Sequence, residues 1–387
     1  MISRRNIARL FRKALAEPGY ALRAGRQRLR SAVSYLRSDG RSAPPETISL
    51  FLTFRCNLRC KMCGQWGPTG SAKGYPPELL KSFLSREEIR RLIEEVRSFR
   101  PNITLFGGEP LLHPEFPGIV EDVKSAGLRS NVITNATLLE RFADLFVDFG
   151  MDEVIFSLDG PREVHDEIRG VPGSFDRAME GFARLGRAKR GRGAGRPRIN
   201  VTSVVYEHGY ERLPELPPIA RALGAESLTV HHLIFCGRAT YDRHNEFFER
   251  EFGARCYDWE GFVVDKLPAI DPEKVIQIKN QMLSARSPVA VSFYPNLTDA
   301  EIREWYTSFE FVPRSYSGRC KGPWMTAYVF PDGGVRPFHS MNFIAGSIRT
   351  ASFGEIWNND AYTHYRRTLK QCGRFPICSR CTELYRF

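Results

Sequence analysis

An α/β fold on a parallel sheet is what this sequence predicts, and three observations carry that expectation. From Thr47 onward, short apolar runs of strand length alternate with helical patterns. Six strand-then-helix units follow in series, with strands expected at 47–54, 102–108, 129–136, 153–160, 198–206 and 227–235. The stretches between them are amphipathic, and the one over 85–99 opens on Ser85 with Glu88 three residues on, a capping box. Pattern alone leaves two architectures: an open doubly wound sheet, or a barrel that does not quite close.

A chain of 387 residues is too long for one ordinary core, and its composition marks four parts: 1–45, 46–235, 236–313 and 314–387. The first part holds eleven basic side chains against Glu17 and Asp39, nine of the twelve net positive charges. Ile7, Leu10, Phe11 and Ala14 form one helical stripe there, and Leu22, Leu29, Val33 and Leu36 a second, with Gly19 between them. A basic amphipathic arm of this kind suits an anionic membrane surface, with nucleic acid as the other acidic partner. Ser3-Arg4-Arg5-Asn6 carries the arginine pair of an export signal, but no apolar segment follows it. Retention in the cytoplasm, peripheral at the inner membrane face, is expected. No apolar run approaches the ~20 residues that span a bilayer. Residues 186–198 are basic and Gly-rich and predict a surface loop. The stretch 236–315 predicts mostly helix, clearest over 271–283. The tail predicts a hairpin over 329–338 turning at Asp332-Gly333-Gly334.

The nine cysteines cluster toward the two ends, a spacing that favours metal over a disulfide framework. Cys56, Cys60 and Cys63 are placed C-x-x-x-C-x-x-C just after the first strand, where β-α folds keep their chemistry. Structural zinc wants four closed ligands, and no fourth cysteine or histidine lies nearby in the sequence. A 4Fe–4S cluster on three thiolates instead leaves one iron open to a small molecule, able to pass it an electron. His231 and His232 fall in the sixth strand, where alternation turns one inward and one outward. No catalytic acid or base is assigned.

The triad, with Gly107-Gly108-Glu109-Pro110 ending the second strand, resembles the radical S-adenosylmethionine (SAM) enzymes. Thr134-Asn135-Ala136-Thr137 after the third strand, Ser157-Leu158-Asp159-Gly160 after the fourth, and the stretch 164–175 agree. The resemblance covers roughly 47–235 and implies a partial barrel of six β-α units. It implies that Cys56, Cys60 and Cys63 hold a 4Fe–4S cluster whose open iron chelates SAM. Reductive cleavage of SAM then yields a 5′-deoxyadenosyl radical that takes hydrogen from a substrate. Gly107, Gly108 and Glu109 would receive the SAM ammonium, Ser157 and Asp159 the ribose hydroxyls, with Asn135 in the same pocket. Arg169 would pair with the SAM carboxylate. Met62 departs from the aromatic residue usual before the last cysteine, and methionine can fill that packing role.

The order Cys320, hairpin, 353–359, helix, then Cys378-x-x-Cys381 resembles the SPASM or shorter twitch extension, which binds auxiliary iron–sulfur clusters. One auxiliary 4Fe–4S cluster is expected, on Cys320, Cys378 and Cys381, with Cys372 as fourth ligand. Phe338 stands where the hairpin cysteine is expected, so His339 or an open iron are the alternatives, with zinc the other metal. Cys236 and Cys256 lack partners at metal spacing and are expected as core thiols. The function implied is an oxidoreductase or rearranging radical SAM enzyme acting on a small-molecule, lipid-linked or peptide substrate, with a flavodoxin- or ferredoxin-like electron donor. Maturation of ribosomal peptides is the alternative, and a non-catalytic metal-binding module the alternative from another class.

Overall fold

The computed structural model describes residues 18–37 and 39–386, so the stripe Ile7–Ala14 lies outside the described residues. All six expected strands form: β1 (Thr47–Phe51), β2 (Asn102–Phe106), β3 (Arg129–Thr134), β4 (Glu153–Ser157), β5 (Arg198–Val204) and β6 (Ser227–His231). They pair in parallel and in chain order. That order decides between the two architectures. A doubly wound sheet reverses its strand order at a switch point. A consecutive order with same-handed crossovers stacks every helix on one face and curls the sheet into an incomplete barrel.

Two strands extend this series. β7 (Ala290–Tyr294) pairs parallel with β6, in a region where the sequence predicted mostly helix. A strand of five residues set between Pro288 and Pro295 is too short for periodicity to register beside a strong helical neighbour. On the other side, β8 (Thr326–Val329) pairs parallel with β1, Thr326 opposite Thr47. It turns back through the expected hairpin into β9 (Gly334–Arg336), and β10 (Gly346–Ser347) follows antiparallel. Gly333 makes the turn at φ +80°, a conformation glycine adopts without strain. The tail hairpin is therefore continuous with the main sheet.

Helix α1 (Pro18–Leu36) precedes the sheet, and Gly19 lies in its first turn. Helices α2 (Arg86–Val96), α3 (Phe116–Ser125), α4 (Leu139–Asp148), α5 (Arg162–Arg169), α6 (Ser174–Gly191) and α7 (Leu216–Ala222) accompany the strands. They are followed by α8 (Arg238–Phe252), α9 (Pro272–Ser284), α10 (Asp299–Thr307) and α11 (Asp360–Cys372). The Ser85–Glu88 capping box forms as expected, and α2 buries Ile89, Leu92, Ile93 and Val96 on one face. The basic stretch 186–198 is only partly a loop, because α6 runs on to Gly191. Its charges are pinned: Arg192 pairs with Asp144 and Asp148, and Arg196 with Asp152. Those carboxylates lie on and beside α4, out of reach of a local sequence reading.

Helix α1 docks with its polar and aromatic face. Ser31, Ser34 and Tyr35 are buried, Tyr35 meets Trp324 edge-on at 4.9 Å, and Arg28 pairs with Glu46 at 2.7 Å. The apolar stripe points outward instead, with Leu22 70%, Leu29 67%, Val33 47% and Leu36 77% exposed. Behind α1 a buried guanidinium joins chain ends. Arg366 donates to Pro323 O, Gly40 O, Trp357 O and Asn358 Oδ1, and lies 4.1 Å from both the Trp357 and Tyr362 rings. Arg366→Leu strands several buried acceptors at about 1–3 kcal/mol each. The expected outcome is a loss of about 3 kcal/mol or more, read as a lowered urea midpoint.

Candidate active site

The cysteine loop leaves the carboxyl end of β1 and folds back on itself, Cys63 N–H donating to Cys60 O at 3.1 Å. Each thiol has a donor aimed at it. Leu58 N–H reaches Cys56 Sγ at 3.5 Å, Trp66 N–H reaches Cys63 Sγ at 3.4 Å, and Arg169 Nη1 reaches Cys60 Sγ at 3.6 Å. Donors at sulfur stabilise thiolate over thiol. Burial works the other way, pushing Cys56 up to about 12 and raising Cys60 against the pull of Arg169. A bound cationic metal resolves that conflict by holding the sulfurs deprotonated. The donor set thus fits an iron–sulfur cluster. Met62 packs against the core, and Trp66 donates Nε1–H to Phe54 O at 2.7 Å beneath the Arg59 guanidinium.

The end of β2 crosses this loop at backbone contact. Gly108 N–H donates to Thr53 O and Glu109 N–H to Arg55 O, both at 2.8 Å. Gly107 stands at φ +148°, and a Cβ on it would lie 2.7 Å from Thr53 O. On Gly108 it would collide with Arg55 O and lie 2.6 Å from Phe54 O. Only glycine permits that approach. Glu109 is 1% exposed and fully engaged: Oε1 accepts from Thr134 Oγ1 (2.7 Å) and Leu111 N–H (3.1 Å), Oε2 from Asn135 N–H (2.9 Å). Burial pushes its carboxyl up to about 7 in spite of these donors. Asn135 donates Nδ2–H to Asn57 Oδ1 at 2.9 Å, and Asn57 donates to Thr137 Oγ1 at 2.8 Å. The third strand's loop is thereby knotted to the cysteine loop. Asn57 lay inside the motif unremarked.

Ser157 ends β4, half-buried. Beyond it Asp159 is buried, accepts Val204 N–H at 3.1 Å and pairs with Arg169 at 2.6 Å. Burial raises the Asp159 carboxyl, and Arg169 opposes the shift. Arg169 ends α5, and its own carbonyl accepts Arg59 N–H at 3.2 Å. The guanidinium thus reaches from Asp159 to Cys60, with Nε unpartnered and buried. Gly107 and Gly108 line a cavity of about 230 Å³ beside Cys56 and Cys63, while Glu109, Asn135, Asp159 and Arg169 form buried supports around the loops.

The opposite wall holds residues that sequence reasoning missed. Tyr75 and Asp258 line it and are hydrogen-bonded to each other, and Arg336 lies 3.4 Å from Asp258. Burial pushes the Asp258 carboxyl up to about 6, opposed by Arg336. No motif surrounds Asp258, so only its place in the fold singles it out. His339 and Ser340 complete that wall, hydrogen-bonded at 2.7 Å. His232 turns away to Tyr306 OH at 2.9 Å, and His231 packs on Tyr294.

In the tail, Cys320, Cys378 and Cys381 are buried, whereas Cys372 is exposed with Arg250 and Glu251 as its charged neighbours. The Cys372 thiol thus stays outside this buried set, although its neighbour Gly373 accepts Cys320 N–H at 3.1 Å. His339 packs on Phe338 at 4.0 Å and faces the cavity. Among the described residues, no three His, Cys, Asp or Glu side chains converge on one ion position, as a zinc site requires. The Gly107–Gly108 approach is testable: Gly108→Ala is expected to cut iron incorporation at the triad severalfold, by iron counting after anaerobic reconstitution, while tail iron stays.

Comparison with known proteins agrees with this geometry. The radical SAM superfamily matches residues 50–208, and the SPASM iron–sulfur cluster-binding domain matches residues 320–382. An AdoMet-dependent heme synthase of Methanosarcina barkeri is 27% identical over 86% of this chain and 88% of its own length. A PqqA peptide cyclase of Xanthomonas axonopodis pv. citri is 26% identical over 88% of this chain and 81% of its own length. The crystal structure of Streptococcus suis SuiB bound to S-adenosylmethionine shares the fold, with TM-score 0.59 and 14% identity over 88% of this chain and 72% of that one. The chain belongs to the radical SAM superfamily and carries a SPASM iron–sulfur cluster-binding domain at its carboxyl end.

Proposed function

We propose that Cys56, Cys60 and Cys63 hold the SAM-binding 4Fe–4S cluster of an oxidoreductase whose substrate enters between Gly108 and Asp258. The observation that carries this reading is a donor at every thiol beside a glycine-lined cavity. When bound, the cluster supplies one electron to the SAM sulfonium, and the deoxyadenosyl fragment released takes a hydrogen atom from the substrate. The chain's own residues do the positioning. Gly107 and Gly108 admit the SAM amino group to the backbone, and the Glu109 carboxylate behind them complements its charge. Ser157, Asp159 and Asn135 face the ribose side, and Arg169 offers its remaining donor toward the SAM carboxylate while gripping Asp159. Asp258, with its raised pKa, is placed to bind the substrate or take its proton. Phe262 and Phe330 give the cavity apolar walls that disfavour water. A flavodoxin- or ferredoxin-like protein would supply electrons, and Cys320, Cys378 and Cys381 would hold an auxiliary cluster able to take up the electron left on the substrate, which would make the net change a two-electron oxidation.

A peptide substrate is the second reading, supported by the PqqA peptide cyclase match through 88% of the chain. Reduced, reconstituted enzyme is expected to release 5′-deoxyadenosine from SAM, and Cys60→Ala to lower that by about 100-fold or more. An unchanged yield from Cys60→Ala removes the assignment.

The outward stripe of α1 supports a peripheral membrane contact. Leu22, Leu29, Val33 and Leu36 share the exposed face with Arg23, Arg26, Arg30 and Arg37. Such a face buries leucine among acyl chains while arginine reaches anionic headgroups. Among the described residues no helix is long and apolar enough to cross a membrane. Co-sedimentation with phosphatidylglycerol vesicles is expected at low salt, to weaken as salt rises, and to be lost in Leu29→Glu/Val33→Glu.

A further inference from the structure

We propose that Cys256 is the fourth ligand of the auxiliary cluster, completing Cys320, Cys378 and Cys381 from outside the SPASM segment. This rests on the reading that the tail binds an iron–sulfur cluster at all. Cys256 follows α8, past the left-handed Gly253 that ends that helix. Its thiol is fully buried, its N–H is held by Asn245 Oδ1 at 2.7 Å, and its Sγ lies 3.7 Å from Met341 Sδ. Met341 stands three residues past Phe338, the place where a hairpin cysteine would be, and donates its N–H to Phe338 O at 3.2 Å. Cys256 therefore arrives beside the hairpin segment whose own ligand is missing.

The other three thiols are each buried and anchored by a backbone hydrogen bond. Cys320 N–H is tied to Gly373 O at 3.1 Å, and Cys378 and Cys381 are set by successive turns, Cys378 N–H to Phe375 O and Cys381 N–H to Cys378 O, each 3.0 Å. Helix α11 brings the Tyr365 phenol among them, fixed by Phe343, Phe252 and Phe375 at ring distances of 5.1, 5.3 and 5.5 Å. Phe375 against that ring holds Cys378 N–H through its carbonyl, and Phe252 on another flank lies four residues before Cys256. Burial, with the neighbouring Cys378, Cys256, Cys320 and Cys381 thiols, raises the phenol. All four sulfurs thus lie within electrostatic reach of one buried hydroxyl. Among the described residues no three donors converge on a single ion position. Thiolates that each bind a different iron of a cubane stand further apart than those around one zinc. Arg336 and Arg374 lie close enough for their charges to lower Cys256 and Cys378 respectively, partly offsetting buried negative charge. Four protein ligands leave the auxiliary cluster no open iron, so it carries electrons and does not bind substrate.

The test uses full-length protein in which Cys56, Cys60 and Cys63 are all alanine, leaving the tail as the only cluster site. Anaerobic reconstitution is followed by iron and sulfide counting and by electron paramagnetic resonance of oxidised and reduced samples. The parent is expected to hold about four irons per chain. Adding Cys256→Ala should lose about one iron or the whole cluster. Cys256→Ser should keep iron with an altered reduced spectrum, which an effect on folding alone would not produce. Cys236→Ala, equally buried, and Cys372→Ala should match the parent. A parent-like iron count and spectrum from both Cys256 variants overturns the ligand assignment, as does a loss caused by Cys372→Ala. A parent that binds no iron overturns the tail cluster itself, and this assignment with it.

Discussion

Two backbones in contact at the carboxyl ends of β1 and β2 set the terms for everything around the first metal site. Gly107 and Gly108 lie against the carbonyls of Thr53, Phe54 and Arg55, and the N–H groups of Gly108 and Glu109 continue the strand ladder into the cysteine loop. A loop carrying three metal ligands would otherwise be free to move, and its ordering would oppose cluster binding. Here its entropy is already reduced by the sheet on one side and by α5 on the other, where Gly170 permits a similar approach to Arg59 O. The Asp159–Arg169 pair then spans from β5 to Cys60, coupling the far strands to the same loop.

The buried ionisable groups are consistent with a protein built around guests. Glu109 and Asp258 sit where burial disfavours their charged forms, at about 7 and about 6. A carboxylate in such a place is an unfavourable element of a scaffold, yet a favourable neighbour for a cationic ligand or a proton in transit. Asp258 lines the cavity, and Glu109 lies buried next to the glycines that line it.

Two short segments separate the active-site cavity from the tail cysteines. In one, Cys256 faces Met341 while Asp258, two residues on, lines the cavity. In the other, His339 and Ser340 line the cavity and Met341 turns the opposite way. Asn342 joins the two by accepting Asp258 N–H at 2.8 Å. On the function proposed above, an electron passing from a substrate in the cavity to a tail cluster would cross these two segments. The backbone close-contact of Gly64 with Gly261 holds the first of these segments over the cysteine loop.

The motifs were legible because their chemistry is local: Cys56, Cys60 and Cys63 share one loop, and Gly107 to Glu109 end one strand. Spacing along the chain fixes much of their geometry. The stripe on α1 was visible as a period but not as a direction, since hydrophobicity cannot say whether Leu29 meets the core or a surface. The strand at Ala290–Tyr294, the pairing of Arg192 with α4, and the position of Cys256 were invisible for a single reason. Each depends on a partner distant in sequence, and such contacts exist only after the sheet has curled in chain order. By itself the sequence determined the β-α series, the three-thiol loop and the residues that surround it. Tertiary structure alone decided that the sheet takes up β7 and β8, that Cys372 stays outside, and that Cys256 is buried beside the tail thiols, because burial is a property of the packed chain and not of any window within it.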